Sequence, residues 1–74
     1  MAHPRITSDP SVMMGKPVIR GTRITVEVIL RLLGQKHTVA DIIDAYPSLK
    51  EDDVHAAQAF AADFIAGGRI LAAE

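Results

Sequence analysis

Residues 15–34 read GKPVIRGTRITVEVILRLLG, and the register of their apolar residues changes midway. Up to Ile24 the β-branched residues are interrupted by Gly15, Pro17 and Gly21, a pattern of short extended segments joined by turns. From Thr25 the spacing is helical: Val26, Ile29, Leu30 and Leu33 fall at i, i+3, i+4 and i+7. Thr25 is placed to cap that helix and Gly34 to stop it. The stretch therefore predicts a β-hairpin hinged directly onto a helix, with Val18, Ile19 and Ile24 covering the helical core.

Working outward, the N-terminal side continues the ribbon. Turn signals at Asp9-Pro10-Ser11 and Gly15-Lys16-Pro17 divide residues 5–24 into short strands, expected at Arg5–Thr7, Val12–Met14 and Val18–Arg20. On the C-terminal side two more helices follow. Thr38 and Asp41 form a capping-box pair ahead of Val39, Ile42 and Ile43, and Pro47 ends that helix. Ser48-Leu49-Lys50-Glu51 has the form of a second capping box, and Glu51, Asp52 and Asp53 put negative charge where the helix dipole favours it. Val54, Ala57, Ala61 and Phe64 then repeat at helical spacing, and the helix is expected to end near Ala66, before Gly67-Gly68. The fold class is mainly α with a small N-terminal β-ribbon: one domain over residues 1–66, with the ribbon at 5–24, a three-helix bundle at 25–66, and a tail at 67–74. The tight connection between the second and third helices makes them a helix-turn-helix candidate.

Composition narrows the chemistry. Seventy-four residues make one small domain, 49% hydrophobic but only 4% aromatic, so the core is aliphatic and a homodimer or tight partner is expected to complete it. The absence of cysteine removes disulfides, thiolate metal sites and thiol catalysis, and fits a reducing cytoplasm. The opening MAHPRITSDP lacks the apolar centre of a secretion signal, and no apolar run is long enough to span a bilayer. A cytoplasmic location is expected. Asp52 and His55 are two metal ligands without a third, no glycine pattern matches a nucleotide fingerprint, and Ser48 is better explained as a cap than as a nucleophile. With no room expected for a substrate pocket either, an enzyme is not expected: no catalytic residues, metal, cofactor or small-molecule substrate.

Charge is distributed unevenly. Residues 1–37 carry six cations against two carboxylates, residues 38–74 two cations against seven, so halves of +4 and −5 sum to the net charge of −1. Such asymmetry marks either a polyanion-facing half or two halves that attract each other. Lys16, Arg20 and Arg23 are spaced to line one edge of the ribbon, with Thr22 between the arginines.

The segments GKPVIRGTRITV and IIDAYPSLKEDDVHAA resemble the domain-of-unknown-function family numbered 433, short prokaryotic proteins with a homeodomain-like or winged helix-turn-helix fold, and the resemblance runs from about Ile6 to Ala62. It implies a VapB-like antitoxin, encoded beside a PIN-like ribonuclease toxin and binding its own operator. One departure is visible: the family usually has glycine two residues before the cap of helix two, whereas this chain has Lys36 there and glycine at Gly34. The end of helix one is then either shifted, or Lys36 itself takes the left-handed conformation.

An antitoxin of this kind needs cations for phosphates and a separate surface for its toxin. The acidic first turn of helix three is poorly suited to DNA, so the ribbon is the expected DNA face, through Lys16, Arg20, Thr22 and Arg23, with Gln58 reaching bases from helix three. For the toxin, Arg69 is placed to enter the carboxylate cluster of a PIN-like nuclease, with Phe64, Ile70 and Leu71 as apolar anchors. Two other readings stand beside this one: a protein-only interaction module, and a plain transcriptional regulator without a toxin.

Overall fold

The computed structural model describes residues 3–67. Two strands and three helices follow in order: β1 Ile6–Thr7, β2 Val18–Ile19, α1 Val26–Gly34, α2 Val39–Ala45 and α3 Glu51–Gly67. β1 and β2 are antiparallel, with Ile6 opposite Ile19 and Thr7 opposite Val18. Because side chains alternate across a ribbon, the two pairs face opposite ways. Ile6 and Ile19 join the helical core, whereas Val18 is 2% exposed yet lies outside that core. The sequence expectation that Val18 covers the helices is thus corrected by the pleat.

The opening stretch is a hairpin. Val18 bridges to Thr25, the Ile19 amide donates to the Ile24 carbonyl at 2.9 Å and the Val26 amide to the Pro17 carbonyl at 2.9 Å, so the arm leading into α1 lies against β2. Gly21 supplies the positive φ of 82° at its tip. Thr25 caps α1 by accepting from the Val28 amide at 3.0 Å.

The expected strand at Val12–Met14 is absent. Asp9 instead caps a tight turn by accepting from the Ser11 amide at 2.9 Å, and the Val12 amide closes it on the Asp9 carbonyl at 2.8 Å. The chain then runs left-handed through three successive residues, Met13, Met14 and Gly15, with φ of 50°, 59° and 84°. β-branched and apolar composition pointed to a strand, but the Asx turn consumed the backbone partners a strand would need.

Around the bundle, Ile29, Ile42, Leu49, Val54 and Ala57 are buried with Val26, Ile6 and Ile19, and Tyr46 and Phe60 pack on them. Thr38 and Asp41 cap α2 reciprocally, at 2.9 and 3.0 Å. The start of α3 differs from expectation. Ser48 is exposed, and the helix begins at Glu51, where Asp53 accepts from the Lys50 amide at 2.9 Å. Lys50 thus occupies the cap position, Leu49 precedes it and Val54 follows four residues on, and both flanking residues are buried. This is the hydrophobic-staple arrangement, and it fixes the register. The third helix spans Glu51–Gly67, its last described residue one beyond the expected Ala66.

α1 packs on both other helices, α2 on α3, and β1 on α3. The result is a small three-helix domain with a two-stranded antiparallel ribbon at its N-terminal side. Among the described residues no helix is long and apolar enough to cross a membrane.

Candidate functional site

The cations of the N-terminal half meet different fates. Arg5 turns toward the acidic start of α3: its Nη1 donates to Asp53 Oδ1 at 2.9 Å, and its Nη2 lies 3.5 Å from Asp52 Oδ2. Lys16 reaches Glu27 Oε1 at 3.1 Å, and Arg31 reaches the other oxygen of Glu27 at 2.8 Å. Hydrogen bonds from Lys16 and then Arg31 hold the Glu27 carboxyl below its ordinary value. Attraction between the two halves of the chain therefore accounts for Arg5 but not for Arg20, Arg23 or Lys36, which contact no carboxylate among the described residues.

Arg20 and Arg23 flank the hairpin tip. The Arg20 Nε donates to the Pro4 carbonyl at 2.8 Å, which fixes the side chain and leaves its terminal nitrogens without a partner among the described residues. Arg23 is exposed and has no partner among the described residues. The two arginines do not line one edge with Lys16, as their spacing suggested. Arg20 borders a cleft of about 220 Å³ on the helix side, with Pro4, Arg5, Ile19 and Asp53. Arg23 borders a cleft of about 400 Å³ on the opposite face, whose floor is Val18. The two arginines of the tip thus line different clefts.

The Thr22 side chain is engaged within the turn. Its hydroxyl donates to the Ile19 carbonyl at 2.8 Å and accepts from the Ile24 amide at 3.0 Å, so it holds the turn that spreads the two arginines. Lys16 and Glu27 form an exposed pair, which solvent screens. Gln58 stands exposed on α3 beside His55, whose Nδ1 lies 3.3 Å from its Oε1. Glu51 and Asp52 remain exposed at the N-terminal end of the same helix, while Asp53 is buried.

At the other end of α3, Phe64 is 71% exposed and stacks on Phe60 with ring centroids 6.2 Å apart. Arg69, Ile70 and Leu71 lie outside the described residues. His3 sits edge-on to Phe60 at 5.4 Å and 2.7 Å from Asp63. Arg5 was missed: nothing in its local sequence announces a partner 48 residues away. No group of three or more His, Asp or Glu is placed to hold a metal among the described residues. The 400 Å³ cleft, by contrast, was not expected in so short a chain.

A small three-helix domain carrying an arginine-tipped ribbon is the class that this geometry defines. The chain matches the family model described as a protein of unknown function, DUF433, over residues 6–61, and it belongs to that family. It is similar to the uncharacterized protein y4eO of Sinorhizobium fredii, with 34% identity over 56 residues that cover 76% of this chain and 25% of the relative. The chain thus spans about a quarter of that curated relative. The fold is also that of a DUF433 member from Anabaena variabilis, known from a crystal structure: TM-score 0.76 at 29% identity, covering 80% of this chain and 58% of the other.

Proposed function

We propose that the chain is an antitoxin-type DNA-binding protein of the cytoplasm, acting by binding rather than catalysis, which presents two hairpin tips to its operator as a homodimer. The observation that carries this reading is the tip itself, where Arg20 and Arg23 diverge to opposite faces of a turn held by Thr22 and Gly21. A ribbon entering a groove meets a sugar–phosphate backbone on each side, and arginines splayed in this way each meet one. Lys16 adds a third cation near α1. α3 supports rather than leads, because Glu51 and Asp52 repel phosphate at the end where a standard recognition helix would dock, and Gln58 reaches bases only once that turn is tilted away.

Fluorescence anisotropy with the chain's own upstream DNA, across a salt series, tests the reading. Arg20→Ala and Arg23→Ala each lower the slope of log K against log salt by about 0.9 if each loses one phosphate contact. Unchanged slopes in both variants would remove the ribbon from the interface.

The second function is neutralisation of a PIN-like toxin encoded nearby, through the exposed end of α3. Phe64, with Ile65 at 37% exposure beside it, is the observation in favour, since a large exposed aromatic is costly unless a partner covers it. Arg69, Ile70 and Leu71 follow it in sequence. Co-expression with the adjacent gene product tests it: Phe64→Ala and Arg69→Ala should each weaken co-purification and restore ribonuclease activity. Co-purification without any operator binding would favour a protein-only module, and operator binding without a toxin a plain regulator.

A further inference from the structure

The far face of the ribbon carries a site of a different kind. Its cleft of about 400 Å³ is lined by Thr7, Asp9, Val12, Val18 and the Gly21–Arg23 turn, and that size lies within the range of small-molecule sites. Three features define what it can hold. Half-buried Val12 gives the cleft its apolar surface, with Val18, 2% exposed and outside the helical core cluster, packed beneath it. Arg23 brings a guanidinium that has no partner among the described residues. Asp9 brings a carboxylate of which only Oδ1 is engaged, by the amide and hydroxyl of Ser11 at 2.9 and 2.8 Å.

Those same bonds, the Ser11 amide first and its hydroxyl second, hold the Asp9 carboxyl below its ordinary value, so it is an anion at neutral pH. A fixed anion and a free cation thus line one cleft without forming an ion pair with each other. The Thr7 hydroxyl, also without a partner among the described residues, is a further donor or acceptor lining the cleft.

We propose that this cleft binds a small zwitterion with an aliphatic body, namely an apolar α-amino acid. Its carboxylate lies on the planar fork of Arg23, its ammonium on Asp9 Oδ2, and its side chain over Val12 and Val18. Charge complementarity selects this class. A nucleotide phosphate in this cleft would meet the Asp9 carboxylate as well as Arg23, whereas a zwitterion satisfies both charges and leaves the complex neutral. The inference goes beyond the operator reading, and its test contains no nucleic acid.

The test is an NMR titration of the full chain with L-leucine and two truncated analogues: leucinamide, which lacks the carboxylate, and 4-methylpentanoate, which lacks the ammonium. Leucine should shift the amides of Thr7, Asp9, Val12, Val18 and Arg23 with a Kd of about 0.1–10 mM, the range for a small ligand on an open site. Each analogue should bind about tenfold or more weaker, the loss of one charge-assisted contact. Arg23→Ala should weaken leucine by a similar factor and leave the difference between leucine and 4-methylpentanoate intact. Asp9→Asn, which keeps an oxygen for the Ser11 amide, should erase that difference. The proposal is overturned if leucine causes no shifts up to about 20 mM, well past that range, if the shifts map elsewhere, or if leucinamide binds as well as leucine.

Discussion

Lys36 ends α1 with a φ of 73°, a left-handed conformation that glycine adopts freely and a side chain with a Cβ resists. Its amide donates to Leu33 at 3.0 Å and the next amide, of His37, to Leu32 at 3.1 Å, which is the Schellman closure. The glycine that this closure favours sits two residues early, at Gly34, which is the last residue of α1 and where an added Cβ would meet nothing within 4 Å. The sequence shows this displacement openly, and of its two readings the strained Lys36 is the one the backbone adopts. Lys36→Gly should therefore stabilise the chain by about 0.5–1 kcal/mol, and Gly34→Ala by a similar amount through the unfolded state. Together they should raise the melting temperature by several degrees, at roughly 4–8 °C per kcal/mol for a chain this size. A thermal melt in which the pair is neutral would show that Lys36 is relieved by something its backbone does not reveal. Met14, at φ 59° and 90% exposed, carries the same strain at the ribbon's left-handed turn. No single residue there announces it, because the turn arises from the Asp9 cap upstream.

α2 has seven residues, too few to hold helical geometry without its ends. Its cap was fully legible: Thr38 and Asp41 stand at the spacing a capping box needs and make both bonds. Thr38→Ala should cost about 1 kcal/mol in urea denaturation. The Thr38 amide, and then its hydroxyl, hold the Asp41 carboxyl below its ordinary value of 3.8. A lowered folded-state pKa gives stability that is present above 3.8 and lost as pH falls through the folded value. Asp41→Asn should thus flatten the acid limb of a stability–pH curve below about pH 4 while changing its shape little near pH 7. α3 was legible in existence but not in register. Ser48 and Glu51 fit the capping-box pattern in sequence, yet burial of Leu49 at 2% pulls the start two residues on, to Lys50 and Asp53. Local pattern cannot see that burial, because the core Leu49 enters comes from Ile6, Ile29 and Ile42. Ser48→Ala should consequently change stability by less than about 0.5 kcal/mol, and a loss near 1 kcal/mol would restore the sequence-derived cap.

Across the whole molecule, the ribbon and the bundle are joined by shared core residues and by one polar tie. Ile6 and Ile19 enter the helical core, while Arg5 bonds the buried Asp53 through its side chain and accepts the Arg20 amide at 2.7 Å through its carbonyl. Asp53 in turn caps α3. The charge asymmetry visible in the sequence thus has two physical meanings at once: Arg5 spends its charge on the far half, whereas Arg20 and Arg23 keep theirs at the tip. Composition could not divide them, since the division depends on which ribbon face each residue occupies. Removing Arg5 should therefore loosen the ribbon. Arg5→Ala leaves Asp53 with its Lys50 bond but without its counter-charge, at a cost of about 1–2 kcal/mol. In native-state hydrogen exchange the amides of Ile19 and Arg20, bonded to Ile24 and Arg5, should lose protection by the full amount of this loss, because the openings that free them also release the tie. Amides that open by local fraying with the tie intact should keep their protection. Unchanged protection at Ile19 and Arg20 would mean that the ribbon opens without releasing Arg5 from Asp53, with Ile6 and Ile19 alone holding the arginine tip in place.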